Sequence, residues 1–351
     1  MVFLYILLAV FAFGLMITMH ECGHFLTARL FGVTVKEFSI GMGPRILSKT
    51  SEKTGIVYKL CLFPIGGYVS MAGEDEESDD PNALNKKPAW QRLIVMATGG
   101  VTNLVFGFLV MLLCVALVAG SSLTVPTIAS FPVRTDGSAT SSYEAGLREG
   151  DVILKVDNRR VRIGAQLDYE IMRRGIEPVT LTVERDGREL IFENFQFRTY
   201  EESGQRLGGR DFYLATERGS LGAVLRHAVF RSAMTVRMVW ESILDLITGR
   251  FTMDAVSGPV GVTSVMVETA RSGMVNFLYL VAVISLNLGV VNLFPLPALD
   301  GGRILFLAIA AIIRRPIPEK IEGAIHFVGI LLLFGLMIFV TGKDILKLIT
   351  G

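Results

Sequence analysis

The run His20-Glu21-Cys22-Gly23-His24 lies inside an apolar stretch that begins at Met1 and carries no charged side chain before Glu21. On a helix, two histidines four positions apart stand one turn apart on one face. Both can then bind zinc, and the glutamate beside them can deprotonate the metal's water. Ionisable groups within a membrane span cost about a few kcal/mol each, so three of them in five residues point to chemistry. Met16, Ile17, Thr18 and Met19 precede the motif and Phe25 and Leu26 follow it. The site therefore lies within the apolar run and does not snorkel at its end. Cys22, two positions along the helix, turns away from the His20/His24 face.

A catalytic zinc takes three protein ligands and keeps one position for water. Carboxylates in apolar segments are few, and besides Glu21 the notable one is Asp300. It closes the run from Asn292 to Gly302, which holds Pro295, Pro297, Gly301 and Gly302. Such a run breaks a helix and frees backbone groups, which a membrane tolerates only where they are buried in protein or line a wet cavity. A broken helix carrying a carboxylate is where a metal would be met. The two remaining histidines read as bystanders: His227 as a surface residue, and His326 as a packed or lumen-facing group.

These residues need a membrane scaffold, and the composition agrees. Of 351 residues 51% are hydrophobic and 19% charged, and the net charge of +1 gives no reason to expect nucleic acid as a partner. Four spans of about 20 residues are expected: Val2 to Leu30, Leu93 to Ala119, Met274 to Phe294 and Gly323 to Val340. The first lacks a basic n-region and holds the candidate ligands, which argues against a cleaved signal peptide. Gly301 to Ile313 is apolar but shorter, as for a buried or re-entrant helix. Cys22, Cys61 and Cys114 form neither a disulfide framework nor a paired metal spacing. Lys36, Arg45, Lys49, Lys53, Lys59, Lys86, Lys87 and Arg92 crowd the first connection, and Arg314, Arg315 and Lys320 precede the fourth span. The positive-inside rule puts both on the cytoplasmic side and the long insertion outside. The acidic run Glu74 to Asp80 reads as a solvated loop.

The insertion from Ser121 to Asn276 is the part that reads as water-soluble. Strands are expected at Thr127 to Phe131, Asp151 to Val156, Val179 to Glu184 and Glu189 to Phe192, the last two joined by the Arg185-Asp186-Gly187-Arg188 turn. A helix is expected from Ile163 to Arg173. Ala145 to Leu154 resembles the central signature of PDZ domains, which bind a peptide as an added strand. Leu221 to Thr248 then shows a helical apolar stripe with Arg226, Arg231, Arg237 and Asp245 off it, as in an amphipathic helix on a membrane or bundle.

Taken together, His20-Glu21-Cys22-Gly23-His24 and Asn292 to Gly301 resemble the paired motifs of the site-2 protease family of intramembrane metalloproteases. The insertion, Gly41-Met42-Gly43-Pro44 and Phe63-Pro64-Ile65-Gly66-Gly67-Tyr68-Val69 resemble its bacterial RseP-like branch with a single PDZ domain. Gly99-Gly100 stands where the family pattern has Gly-Pro. The resemblance implies an α-helical membrane protein with an inserted β-rich PDZ domain and a membrane-associated β-hairpin loop. Its parts would be residues 1–120 and 274–351 for the two halves of the protease core, 121–200 for an extracytoplasmic PDZ domain, and 201–273 for a linker with the amphipathic helix. It implies zinc held by His20, His24 and Asp300, with Glu21 as general base and then proton donor, and Asn292 on the substrate backbone or the oxyanion. The loop from Gly41 to Met71 would dip into the membrane and pair Gly66, Gly67, Tyr68 and Val69 with an unwound substrate. The enzyme would sit in the bacterial inner membrane among its lipids, with the active site toward the cytoplasm. Its substrates would be single-span proteins such as anti-sigma factors or remnant signal peptides. The PDZ domain would either bind a freed carboxyl terminus or exclude untrimmed ectodomains by size. The competing classes are a membrane metal-ion transporter, which would spread polar groups over several spans, and a non-catalytic PDZ scaffold, which would not need Glu21.

Overall fold

The structure is a computed structural model that describes residues 2–74, 78–120, 123–133, 139–202, 205–249, 258–315 and 317–350. The chain opens with helix α1 (Val2–Leu30), strands β1 (Val35–Thr50) and β2 (Val57–Met71), and helix α2 (Ala89–Val118). A β-rich stretch follows: β3 (Leu123–Ser130), the short α3 (Ser141–Glu144), β4 (Val152–Val156), β5 (Arg159–Arg160), α4 (Gly164–Arg174), β6 (Val179–Arg185), β7 (Arg188–Phe195), β8 (Arg198–Glu202), β9 (Gln205–Gly209) and β10 (Tyr213–Glu217). Five helices end the chain: α5 (Leu221–Ile247), α6 (Pro259–Ser272), α7 (Met274–Asn292), α8 (Asp300–Ile313) and α9 (Glu319–Thr350). By contacts the chain divides into two units, residues 1–110 with 235–351, and residues 111–234.

Among the described residues α1, α2, α7 and α9 are long and apolar enough to cross a membrane, so this is a membrane protein with a β-rich region. The 29 residues of α1 reach about 43 Å at 1.5 Å per residue, beyond the roughly 30 Å hydrocarbon core. In lipid, helices gain little from apolar contact and approach through small residues instead. α1 meets α2 at Gly23, where a Cβ would lie 2.5 Å from the Thr98 carbonyl oxygen, and α2 meets α7 at Gly107, where a Cβ would lie 3.0 Å from the Ala282 oxygen. Ser285 on α7 adds a hydrogen bond to the Asn103 carbonyl at 2.8 Å. Ala9, Ala12 and Met16 of α1 pack with Met266 of α6 and with Phe277 and Val281 of α7. Helix α6 falls where only linker was expected, although Gly258-Pro259 is a legible helix start with proline at the first position. Asp344 of α9 secures that start by accepting the Gly258 and Gly261 N–H groups at 2.9 and 2.8 Å.

β1 and β2 form one bent sheet that begins at Val35, upstream of the expected Gly41. Glu37 to Ile40 pairs on one side with Gly67 to Ser70 and on the other with Val57 to Leu60, while Arg45 to Thr50 pairs back on Val57 to Cys61. One face buries Phe38 and Val69 against Ala28 of α1 and Val95 and Met96 of α2, with Phe25 packed on the cluster. The far end presents Met42, Ile46, Leu47, Leu62 and Phe63, each more than half exposed. So much uncovered apolar surface suits contact with lipid.

In the second unit the strands run in the order β10-β3-β4-β6-β7 with β5 on β4, and β8 pairs with β9. The sheet is thus completed beyond residue 200 by β10, whose Leu214 joins Ile128, Leu147, Ile153, Leu167, Leu181 and Val183 in the core. The β6–β7 turn places Asp186 at φ 50° and Gly187 at φ 75°, the left-handed pair that a two-residue hairpin needs. Asp151 is fully buried and takes two hydrogen bonds from Arg185, at 2.6 and 2.7 Å, and one from the Arg148 N–H at 2.8 Å. His227 corrects a surface expectation. It is buried on α5, with Nε2 2.7 Å from the Glu217 carboxylate, which also pairs with Arg226. Burial holds the His227 imidazole below its ordinary range, so the charge of this cluster rests on Glu217 and Arg226.

Candidate metal centre

His20 and His24 come from adjacent turns of α1, and Asp300 from the first turn of α8. Their ligand atoms all lie within 4.8 Å of one another, the one such group of histidine, cysteine and carboxylate among the described residues. His20 Nε2 and His24 Nε2 are 3.2 Å apart, and Asp300 Oδ2 lies 3.2 and 3.3 Å from them. Three tetrahedral ligands about 2.0–2.1 Å from one zinc ion stand about 3.3–3.4 Å apart, so the triangle has the dimensions the ion requires. The His24 Nδ1 sits 2.8 Å from the Val95 carbonyl oxygen. A carbonyl can only accept, so Nδ1 carries the proton and Nε2 keeps its lone pair for a metal. Asp300 Oδ2 is buried without a hydrogen-bond partner among the described residues. A buried carboxylate oxygen left so costs several kcal/mol or more, and a cation in the triangle removes that cost.

Two glycines let these elements close on one another. A Cβ on Gly99 would run into His24 Nε2 and lie 2.7 Å from His20 Cε1, and one on Gly100 would lie 2.8 Å from Leu293 Cγ, just past the end of α7. One face of α2 thus lets the imidazoles in, and the next lets the broken helix in. That break runs from Leu293 to Leu299, and Gly301 fits under it where a Cβ would be 2.5 Å from the Leu293 carbonyl carbon. Trp240 of α5 covers Phe294, with ring centroids 4.2 Å apart.

Glu21 lies near enough to His20, His24 and Asp300 to feel their charge, and its carboxylate faces the backbone N–H of Val69. Gly67 is beside it, since a Cβ there would stand 3.4 Å from Glu21 Cγ. Val69's N–H therefore points off the outer edge of the sheet, and the Ala72 N–H, bonded to Thr34 at 2.9 Å, points inward. By strand alternation Gly67 and Val69 direct their backbone groups outward along this edge, and Tyr68 directs its own toward β1. The Tyr68 hydroxyl is spent within the sheet, donating to Glu37 Oε2 at 2.7 Å, while Lys59 binds the same carboxylate at 2.7 Å. Lys59 and Tyr68 hold the Glu37 carboxyl below its ordinary value. Gly66, at φ 98°, sits over the Met42 side chain. Asn292 is the last, partly buried residue of α7, eight positions before Asp300, and no hydrogen bond joins its side chain to the ligands. Glu74 corrects the solvated-loop expectation at the head of the acidic run. It pairs at 3.0 Å with Arg303, three residues past Asp300, a long-range contact that no local pattern announces. Residues 75–77 lie outside the described residues.

The family model for peptidase family M50 matches residues 8–336. The chain is 29% identical to the regulator of sigma-W protease RasP of Bacillus subtilis, over 96% of this chain and 97% of that one. It is also 29% identical to the zinc metalloprotease RasP of Geobacillus kaustophilus, over 95% and 96%. A provisionally named zinc metalloprotease of Clostridium perfringens is 34% identical over 98% of this chain and 99% of its own.

Proposed function

Because the chain belongs to peptidase family M50, the site-2 proteases, and is an intramembrane zinc metalloprotease, we propose how its own residues carry the reaction. His20, His24 and Asp300 hold the zinc. The ion, when bound, polarises a peptide carbonyl and acidifies a water to about pKa 7. Glu21 is the general base and later the proton donor to the leaving amine. The Val69 N–H holds its carboxylate in place without being a metal ligand. Asn292, at the mouth of the broken helix, donates to the substrate carbonyl as charge develops on its oxygen.

A substrate helix hides its carbonyls in its own hydrogen bonds and must unwind before attack. The outward-facing backbone of Gly67 and Val69 offers the freed segment a strand to pair with, next to Glu21. We assign the substrates to single-span membrane proteins of the anti-sigma factor or remnant signal peptide kind, a reading supported by the sigma-W role named for the Bacillus relative. The β-rich unit is proposed as a PDZ module outside the membrane, and the basic first connection as cytoplasmic. The observation that carries the reading is the convergence of three ligand atoms on one point beside a fourth ionisable group that is not a ligand. Purified Glu21→Gln should retain zinc and lose all cleavage of a model transmembrane peptide, whereas Asp300→Ala should lose zinc. Metal loss in Glu21→Gln, or full zinc and activity in Asp300→Ala, would overturn the assignment.

A further inference from the structure

We propose that His326 of α9 is a positioning residue that sets Asp300 for the metal by fixing the backbone two residues before it. This rests on Asp300 being a ligand, as argued above.

The break ahead of α8 closes two bonds of its own, from the Leu296 N–H to the Phe294 carbonyl at 2.7 Å and from the Leu299 N–H to the Leu296 carbonyl at 3.3 Å, and neither uses the Ala298 N–H. Pro295 and Pro297 have no N–H to offer, and Leu299, at the N-cap position of α8, makes no side-chain capping bond. Between them Ala298 has φ 74°, a left-handed conformation that an L residue with a Cβ keeps only when its surroundings hold it there. The Ala298 N–H donates to His326 Nδ1 at 3.1 Å. Nδ1 must then be the bare nitrogen of a neutral ring, with the proton on Nε2. α9 grips the neighbouring residue as well, since Pro297 lies on Gly329, where a Cβ would be 2.9 Å from the Pro297 carbonyl carbon. The His326 ring also stands 5.5 Å from Phe306 of α8. One turn of α9 therefore holds Pro297, Ala298 and the helix that Asp300 opens. Relaxation of Ala298 toward negative φ would swing Asp300, and a ligand is useful only within about 0.2 Å of its place.

The test uses the full-length protein in detergent. His326→Leu keeps bulk and removes the acceptor. His326→Asn puts an oxygen where Nδ1 stands, and His326→Gln puts one nearer the place of Nε2. His326→Leu and His326→Gln should release zinc to a chelator about 10- to 100-fold faster, the range for lost supports of metal ligands. Their kcat should fall and their KM stay unchanged, because the substrate-pairing edge is untouched. His326→Asn, which retains an acceptor, should stay less than about 10-fold from wild type, below the range for a lost support. Wild-type zinc release in His326→Leu would overturn the proposal, as would equal behaviour of the Asn and Gln variants. If the Leu variant does not fold, the Asn and Gln pair decides alone. Asp300→Ala, measured alongside, separates the failures: zinc retained there removes Asp300 as a ligand, whereas zinc lost there but kept in His326→Leu removes only the role of His326.

Discussion

Replacing Gly99 by alanine should weaken the metal site while barely disturbing the fold. The added Cβ would stand 2.7 Å from Cε1 of both His20 and His24 and closer still to His24 Nε2. Carbon atoms pack comfortably at about 3.5–4.0 Å, so each ring must retreat by about 0.8 Å or more, several times the tolerance of about 0.2 Å that a metal ligand has. Two energies oppose one another. Helix propensity favours alanine over glycine in α2 by about 1 kcal/mol, and overpacking costs about 1–3 kcal/mol. The net change in stability is therefore within about 2 kcal/mol. The strain falls on the ligands, and at 1.4 kcal/mol per decade it lowers zinc affinity about 5- to 150-fold. Chelator competition on the purified protein reads that affinity, and thermal unfolding of the zinc-free form reads the fold. Gly107→Ala is the control: its Cβ would meet Leu286 Cγ at 2.8 Å and the Ala282 oxygen at 3.0 Å, crowding α2 against α7 away from the imidazoles. It should cost stability and leave zinc affinity alone. Wild-type affinity in Gly99→Ala would mean that the imidazoles do not lie against α2, and the assembly described above would be wrong.

Val69→Pro removes the donor that holds Glu21 and should reduce cleavage of a transmembrane substrate at least 100-fold, about the scale of a displaced general base, with zinc content near wild type; normal cleavage by the folded variant would reduce the sheet to a connector. In a background lacking Cys22, Cys61 and Cys114, a cysteine at Lys53 should react with an impermeant thiol reagent from the cytoplasmic side only and one at Asp186 from the outside only, and the opposite pattern would reverse the orientation.

The four spans and the placing of His20 and His24 on one helix face were legible because they depend on local rules. The largely apolar 29 residues of α1 have few alternatives in lipid but a helix, and residues four apart on a helix share a face whatever the rest of the chain does. The strand turn at Asp186-Gly187 and the amphipathic α5 were legible for the same reason, since turn chemistry and period are written within a few residues. His227 was misread because its partner Glu217 sits on β10, and a helical stripe says which face is polar but not what will cover it. Glu74 was misread likewise, its partner Arg303 being 229 residues away.

From the residues alone followed the expected chemistry: two histidines and a glutamate at membrane depth, a carboxylate on a broken helix, and hence the expectation of a zinc site. Only the tertiary structure decided how those parts meet. That Gly99 and Gly100 open two faces of α2, that the Val69 backbone stands at Glu21, and that His326 accepts the Ala298 N–H before Asp300 are relations between segments 28 to 193 residues apart. Their cause is close packing: in a bundle joined through small residues, each side chain's neighbours are set by how near the backbones come, and that distance belongs to the pair of elements and to neither sequence alone.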